Sequence, residues 1–524
     1  MLALIAPAAL AGVALFAIAE PGLRPRRVLN LSRFVTYGAF LLALAAGALV
    51  VVQGPMTSPT DGIGRFGLSV RLDTLSVIMF LLVSFVGVIV VRFSRNYLDG
   101  DSRQGAFVGG LCLALAAVSL LVLAGNLYLL VAAWIATSLA LHRLLVFYPE
   151  RQAAVIAARK KSITARIGDA CLIGAVVLLV SAFGSSDIAT ILERARGTGE
   201  GAVPLGTSIA ALLIAAAALL KSAQFPTHGW LPEVMETPTP VSALLHAGII
   251  NAGGFLVIRF ADVMLLAPPS LHLLAIVGGF TALLGAVVML TQSSVKVSLA
   301  WSTIAQMGFM LLQCGFGAFS LAVLHIVAHS LYKAHAFLSS GSIVEVARAS
   351  WTPDLQAKPH SGHLLASLVL ALGLYAGLGW VFGLFTDQAI AVLALGAIVI
   401  MGLMLLIAPS MQGRPNAYVI SRTAAAAAGA TLAYFVLQDG ATWLMSPTLP
   451  AMATPGPFGI AVMALAVISF ALVTVLQILA PAWVDTPAWR AARVHVANGL
   501  YANALFSRLV GSLRRPAANP PLRR

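Results

Sequence analysis

Charge is scarce in this sequence: Asp, Glu, Lys and Arg together make up 10% of its residues. Soluble proteins carry roughly 25%, whereas 60% of the residues here are hydrophobic. So little charge beside so much apolar surface is typical of a membrane-embedded bundle. Helices are expected, because lipid offers no partner to an unpaired backbone N–H or C=O.

Cysteine is nearly absent, and nucleotide-binding motifs are missing. The three cysteines are isolated within apolar segments and form no C-x-x-C pair, so no iron–sulfur or structural zinc site is indicated. No P-loop or dinucleotide fingerprint follows a predicted strand. We therefore expect no cofactor and no enzymatic site in this chain, which has no visible means of carrying electrons or using ATP.

Apolar segments recur along the whole chain, and many reach the roughly 20 residues needed to cross a bilayer. They predict an all-α polytopic membrane protein with about fifteen transmembrane helices. The stretch 65–73 alternates polar and apolar residues, which indicates a short extended piece outside the membrane. The predicted segments are 2–19, 34–52, 74–91, 106–124, 127–147, 167–183, 206–222, 241–260, 271–290, 298–315, 319–341, 364–382, 388–408, 423–438 and 458–480.

The net charge of +14 is distributed in a way that indicates membrane orientation rather than nucleic-acid binding. With alternating segments, 25 of the 32 Lys and Arg fall on one side, Lys160 and Lys161 among them, and five, including Arg259, on the other. Lys221 and Lys333 remain within helices. The positive-inside rule then places the N-terminus outside and the C-terminus in the cytoplasm.

The two ends of the chain differ in character. Residues 1–19 lack a basic stretch before their apolar run, so we interpret them as a retained first helix rather than a signal peptide. Residues 1–480 form the predicted bundle, and 481–524 form an amphipathic and basic cytoplasmic tail. This tail either lies on membrane lipid or docks a partner, and a disordered basic end after Leu513 is the plainer interpretation.

The first group of residues that do not belong in lipid spans 221–246. Lys221 ends an apolar helix, and four prolines then interrupt regular helix within fifteen residues. Glu233 and Glu236 share a helical face, and His246 lies in the next helix. One interpretation is a Lys–Glu–His proton site at a broken helix. The alternative is a re-entrant cytoplasmic loop with solvated charges.

The second group is a stripe within segment 319–341. His325, His329 and Lys333 are spaced i, i+4, i+8, which places them on one helical face. Histidine exchanges protons near neutrality, and a buried lysine loses its charge readily because desolvation penalises the cation. The pattern favours a proton relay. The alternative is a set of hydrogen-bonded core residues that lock neighbouring helices.

Two smaller features have structural explanations as well. Arg166 and Asp169 are three residues apart at a predicted helix start, where an ion pair or an interaction with the helix dipole is expected. Lys296 lies in the short loop before the segment 298–315. Loop charge is the ordinary explanation for it, and a connection to the proton path is the other.

These residues lie in motifs that resemble a known family. KSAQFPTHGWLPEVMETPTPVSALLHAG at 221–248 is similar to the signature of the antiporter-like subunits of respiratory complex I, Mrp cation/proton antiporters and membrane hydrogenases. LSVRLDTLS at 68–76, TARIGD at 164–169, VKVSLAWSTIAQMGFM at 295–310 and HIVAHSLYKAHAFLSSGS at 325–342 continue the match. It is strong over roughly residues 65–345 and weak elsewhere.

The resemblance implies two inverted five-helix repeats over about 106–410, each with one discontinuous helix, and a proton path through the membrane centre. By position, Lys221 is the central lysine of the first half-channel. The relay then continues through His246, Lys296, His325, His329 and Lys333.

The sequence departs from the family at two points. The family pairs its first lysine with a glutamate of W-E-G-V-G, whereas Ile135 stands at that place here, within WIATS at 134–138. Glu233, Glu236 or Asp169 would have to supply the missing acid. The family also has a titratable residue in its second broken helix, whereas Asp387 is the only ionisable residue between His363 and Arg414.

The departures, with SLALHRLL at 138–145 and VHVANGLYANALFSRL at 494–509, resemble the DabB branch. DabB proteins are membrane subunits of the DAB inorganic-carbon accumulation system. The resemblance implies a bacterial inner-membrane subunit that translocates protons or sodium ions and works with DabA, a cytoplasmic zinc protein resembling β-carbonic anhydrases. The zinc is thus expected on the partner. The alternatives are a pump subunit of a respiratory, Mrp or hydrogenase complex and a non-conducting scaffold.

Overall fold

The computed structural model describes residues 1–63, 66–198, 203–341, 361–383, 389–411, 417–483 and 486–512. Within these residues, 14 helices are long and apolar enough to cross a membrane, and Leu205–Lys221 is a shorter apolar helix. Each of the fifteen predicted segments therefore has a helix. The expectation of an all-α polytopic membrane protein is confirmed.

The helices are α1 (Ile5–Ala19), α2 (Arg26–Gln53), α3 (Thr74–Tyr97), α4 (Gln104–Leu123), α5 (Leu127–Leu145), α6 (Gln152–Phe183), α7 (Ile188–Gly197), α8 (Leu205–Lys221), α9 (Trp230–Glu233), α10 (Thr239–Ala247), α11 (Ala252–Arg259), α12 (Ala261–Leu265), α13 (Pro268–Met289), α14 (Val295–Gly315), α15 (Phe319–Leu338), α16 (Ser361–Val381), α17 (Ile390–Met411), α18 (Ala417–Met445), α19 (Pro457–Trp483), α20 (Pro487–Ala497) and α21 (Ala502–Ser512).

The α6 helix is longer than its apolar run, which corrects one expectation. It begins at Gln152 rather than at 167, so Lys160 and Lys161 lie inside a helix and not in a loop. Both lysines are buried, at 1% and 5% exposure. Hydropathy missed this part of α6 because polar residues extend the helix and pack against protein instead of lipid.

Four short strands precede α3, and the last two lie in the extended piece expected at 65–73. They are β1 (Met56–Thr57), β2 (Asp61–Ile63), β3 (Phe66–Leu68) and β4 (Arg71–Leu72), with β1 antiparallel to β4 and β2 antiparallel to β3. Asn126, at the start of α5, donates to the Gly67 carbonyl at 2.9 Å. These contacts define one end of the bundle, called here the strand end.

A buried ion pair joins α3 to α11 at the strand end of the bundle. The Arg259 guanidinium at the end of α11 lies 2.5 Å from the Asp73 carboxylate, and the two side chains are 1% and 0% exposed. Asp73 also accepts from the Ser76 backbone N–H at 2.8 Å, which caps α3. The sequence analysis placed Arg259 in an outside loop. The structure corrects this, because Arg259 is the last residue of α11 and is buried.

Glycines allow α13 and α14 to approach each other closely. A Cβ on Gly308 of α14 would lie 2.6 Å from the Ala282 backbone nitrogen and the Gly278 carbonyl oxygen of α13. Gly285 and Gly315 face the partner helix just as tightly. Small residues at such contacts let two membrane helices pack backbone to backbone. This contact fixes α14, which carries part of the candidate site.

The chain leaves regular helix after Lys221 and re-enters it in steps. The four-residue α9 is followed by a 3₁₀ turn at Val234–Glu236 and then by α10. A second 3₁₀ turn at Ile249–Asn251 separates α10 from α11. All of the α10–α11 span is buried in the bundle. Polar groups on it therefore face protein rather than lipid.

The tail helices α20 and α21 return to the end of the bundle opposite the strands, called here the tail end. The Gln292 side-chain amide donates to the Ala497 carbonyl at 3.2 Å, and a Cβ on Gly229 would collide with the Asn503 side chain. The tail thus lies over the turn between α8 and α9. The predicted basic end after Leu513, and Asp387, lie outside the described residues.

Candidate functional site

Lys221 ends α8 inside the bundle, where its ammonium group has polar partners on α5. Its Nζ donates to the Ser138 Oγ at 2.8 Å and to the Trp134 carbonyl at 3.3 Å. The same nitrogen lies 4.3 Å from the centre of the Trp134 ring, a cation–π contact. The α8 helix stops at this lysine, so the side chain reaches across to α5 instead of toward lipid.

Lys161 joins Lys221 at the same serine, and the sequence reasoning did not find it. Its Nζ donates to the Ser138 carbonyl at 2.7 Å. The two lysines thus bind the two oxygens of one residue from neighbouring helices, α6 and α8. Lys161 lies eight residues before Asp169 on α6, so extending the predicted helix back from the TARIGD motif would have placed it on a nearby face.

Asp169 is the acid whose charge acts on this lysine pair. It is 4% exposed, forms a 2.9 Å ion pair with Arg166 one turn earlier, and interacts electrostatically with both Lys161 and Lys221. Arg166 and Asp169 therefore are an ion pair, as their spacing suggested. Ile135, in the family's glutamate position, is partly buried among apolar residues.

The structure places the two glutamates away from this pair. Glu233 binds Lys160 at 2.6 Å and accepts from the Asn503 amide of α21 at 2.7 Å. Lys160 also donates to Asn503 at 3.0 Å and to the Ser507 hydroxyl at 2.7 Å. Glu236 is exposed, and its carbonyl accepts from Arg151. Glu233 thus belongs to a network that holds the tail onto the bundle.

A small cavity lies beside the lysine pair. Its volume, measured as space for the centre of a water-sized sphere, is about 20 Å³. Lys161, Lys221 and Trp230 line it, together with Leu245 and Ile249 from the segment that carries His246. One water needs roughly 10–15 Å³ by this measure. The cavity therefore has room for a water molecule beside the two lysines, against the segment that carries His246.

His246 lies at the centre of the bundle, fully buried on α10. Its Nδ1 is 2.9 Å from the Thr303 hydroxyl of α14, and its ring stacks on Phe337 of α15 at 4.3 Å. Its Nε2 has no hydrogen-bond partner among the described residues. One ring nitrogen is thus fixed by protein while the other remains available for a water or a proton.

The stripe on α15 continues from this histidine. Lys333 is fully buried and donates to the Ser302 hydroxyl at 2.8 Å and to the Leu299 carbonyl at 3.0 Å. His329 hydrogen-bonds to the backbone of His246 and lies 6.1 Å from His325, ring centre to ring centre. The predicted face therefore points inward and meets His246 directly.

His325 and Lys296 lie at opposite ends of this arrangement. The His325 Nδ1 contacts the Gln313 side-chain oxygen of α14 at 3.0 Å. Lys296 is the second residue of α14 rather than a loop residue, and its Nζ donates to the Thr239 hydroxyl at 3.1 Å. Thr239 in turn lies 3.4 Å from the Tyr97 hydroxyl. Lys296 thus binds the first turn of α10, at the tail end.

The arrangement is a row of nitrogen bases, each with a hydroxyl or carbonyl partner. It runs from Lys161 and Lys221 on Ser138, past the cavity to His246, and on to Lys333, His329 and His325. Lysine and histidine alternate between protonated and neutral forms, so such a row can exchange protons when waters bridge the gaps. No cluster of three metal-ligating side chains was found among the described residues.

Comparison with known proteins places the chain in a family. It matches the model described as NADH:quinone oxidoreductase/Mrp antiporter, transmembrane, over residues 124–350, and the complex I chain 5 N-terminus over 62–108. It is 39% identical over 496 residues to the probable inorganic carbon transporter subunit DabB2 of Halothiobacillus neapolitanus, across 92% of this chain and 88% of that relative. The chain belongs to the DabB family. The sequence-based resemblance is thereby confirmed.

A second relative agrees with the DabB assignment, and a solved structure shares the fold. The probable inorganic carbon transporter subunit DabB of Hydrogenovibrio crunogenus is 45% identical over 336 residues, which cover 62% of this chain and 63% of that relative. A chain of the Mrp complex from Dietzia sp. has a TM-score of 0.64 at 24% identity, covering 100% of this chain and 64% of that chain. This second likeness shows the fold alone. The DabB-family chain is therefore a multi-pass membrane protein of a transporter family.

Proposed function

We infer that this chain translocates protons across the membrane and couples their influx to inorganic-carbon uptake. The observation that carries the inference is the row of buried bases from Lys221 through His246 to Lys333. An ionisable group at membrane depth costs at least about 2.5–3.5 kcal/mol on insertion scales. Several such groups, in line and facing the bundle interior, are characteristic of an ion pathway.

The chemistry of the row favours protons over sodium ions. Its members are lysine and histidine nitrogens, and Asp169, the one carboxylate assigned to it, is paired with Arg166 at 2.9 Å. Hard cations such as magnesium and calcium bind carboxylate, carbonyl and water oxygens, and sodium has the same preference. Amines and imidazoles instead accept and release protons directly.

Inorganic carbon is proposed as the substrate because the relatives are named as probable inorganic carbon transporter subunits. In this proposal, a DabA-type cytoplasmic zinc subunit hydrates carbon dioxide, and the present chain supplies the ion flow that makes the reaction vectorial. The chain sits in a bacterial inner membrane with its tail end in the cytoplasm. Each charge that enters contributes about 2.3 kcal/mol per 100 mV.

Uptake in cells tests this proposal. The chain and a DabA-type partner are co-expressed, and uptake of labelled inorganic carbon is measured with and without an uncoupler. Lys221→Ala and Lys333→Ala should each lower uncoupler-sensitive uptake roughly tenfold or more, since positioned proton-transfer groups contribute factors of about 10² to 10⁴. Arg159→Gln is the matched control, because Arg159 is an exposed cation on α6.

Three results separate the proposal from its rivals. Uncoupler-sensitive uptake that persists in both alanine variants, at wild-type amounts of chain, contradicts the relay. Uptake that is insensitive to uncoupler with every chain intact indicates a non-conducting scaffold. Activity driven by electron transfer, with redox subunits copurifying, indicates a respiratory or hydrogenase pump.

A further inference from the structure

Lys161 is a buried lysine of the row described above, and the proposed function assigns it no step in proton transfer. Its ammonium group donates to the Ser138 carbonyl at 2.7 Å, while Lys221 donates to the hydroxyl of the same serine at 2.8 Å. It lies nine residues after the start of α6, and the residue before it, Lys160, donates to Asn503 and Ser507 of the tail. Lys161 thus approaches Lys221 from the side on which the tail closes the bundle.

The charges around Lys161 do not balance if both lysines are protonated. Lys221 of α8 and Arg166 of α6 act on it as like charges, and Asp169 of α6 acts as the opposite charge. His142 of α5 also interacts with it electrostatically. Arginine stays charged in proteins, and Arg166 already pairs with Asp169 at 2.9 Å. A second buried ammonium group therefore lacks a counter-charge, which is costly in a low-dielectric interior.

The cavity beside the two lysines adds an independent observation. Lys161, Lys221 and Trp230 all line it, and none of the nine residues around it is acidic. The indole N–H of Trp230 is buried without a hydrogen-bond partner among the described residues. A water there would meet three donor groups, and a neutral lysine nitrogen supplies the lone pair that this arrangement needs.

We propose that Lys161 and Lys221 share one mobile proton across Ser138 and the cavity, so that Lys161 hands protons to Lys221 from the tail side. An N–H bond of the Lys161 ammonium group breaks as its proton passes to a water molecule in the cavity, and that water releases another of its protons to form an N–H bond at the neutral Lys221 nitrogen. The positive charge moves from one lysine to the other, and none is created. The proposal rests on proton translocation by this chain.

Proton flux in proteoliposomes tests the role of Lys161. The chain, purified with the subunits that accompany it, is reconstituted in vesicles, and an imposed pH gradient is followed with a trapped pH-sensitive dye. Lys161→Gln keeps a donor for the Ser138 carbonyl but does not titrate. Lys161→Arg keeps both donor and charge but cannot release a proton. Both variants should lower flux roughly tenfold or more, while Arg159→Gln retains wild-type flux.

The arginine variant separates a proton carrier from a structural cation. If the Lys161→Arg complex has wild-type flux and the Lys161→Gln complex does not, the lysine is needed for its charge alone. That result overturns the proposal. Wild-type flux in both variants overturns it too, provided Lys221→Gln has lost flux. Equal flux in wild type, Lys221→Gln and both Lys161 variants instead contradicts the proposed function itself. The melting temperature of each complex shows that it is folded, and Lys161→Ser replaces any variant that fails to assemble.

Discussion

Asp73→Asn should be among the most destabilising conservative changes in this chain. The substitution removes the negative charge that compensates Arg259. The side chains of Arg259 and Asp73 are 1% and 0% exposed. Removing one partner of a buried pair typically costs about 3–5 kcal/mol, because the other charge remains buried and uncompensated. Asparagine is also a good N-cap, so its side chain can still accept from the Ser76 N–H. The decrease in the free energy of unfolding therefore measures the contribution of the ion pair.

The pH dependence of this loss has a definite sign. Burial alone would raise the pKa of Asp73, but Arg259 and Arg71 outweigh it and hold that pKa well below its ordinary value. A carboxylate with a lowered pKa stabilises the fold above its unfolded pKa, about 3.9, and loses that effect only as the pH falls through the lower, folded value. The difference between wild type and variant should therefore be constant from about pH 8 to pH 5.

The assay is SDS unfolding in mixed micelles at pH 5 and pH 8, with Asp99→Asn as the control. Asp99 pairs with Arg24 at 2.9 Å, but the two side chains are 54% and 68% exposed. Such a surface pair is worth only about 0–1 kcal/mol. If Asp73→Asn costs no more than Asp99→Asn, or if its cost vanishes between pH 8 and pH 5, the reasoning about the buried pair is wrong.

Two further changes test the packing around the site. Asn503→Ala removes hydrogen bonds to the Lys160–Glu233 pair. Since bonds to charged groups are worth about 1.5–3 kcal/mol, amide exchange in residues 502–512 should accelerate roughly tenfold or more, and unchanged exchange there would show that the tail is held elsewhere. Gly308→Leu places atoms where a Cβ already comes within 2.6 Å of α13; it should cost at least about 1–3 kcal/mol in an unfolding titration, whereas Gly402→Leu, at a position with open space, should stay near wild type.

The helices and the α15 stripe could be predicted because each rests on a local pattern. An apolar run of about 20 residues has one stable form in lipid, so all fifteen segments were found. The spacing of His325, His329 and Lys333 places them on one face of a helix, whatever surrounds that helix. The residues that face this stripe are His246 and Ser302. They could not be predicted, because they depend on how α10 and α14 pack against α15.

The lysine pair and its acid could not be read in the same way. Lys161 lies in a polar extension of α6, and hydropathy ends that helix too late in the sequence. Three acids remained candidates for the negative charge near Lys221, because the choice depends on which helix packs beside α8. The partner of Glu233 on the tail is Asn503, 270 residues away. Sequence spacing carries no information on a contact of that kind.

Proton flux through the purified complex, with and without Lys221, tests the central claim most directly. Vesicles containing the wild-type chain should dissipate an imposed pH gradient, and Lys221→Gln should slow this roughly tenfold or more while Arg159→Gln does not. A Lys221→Gln complex that is folded and dissipates the gradient at the wild-type rate would contradict the claim that this row of buried bases carries protons.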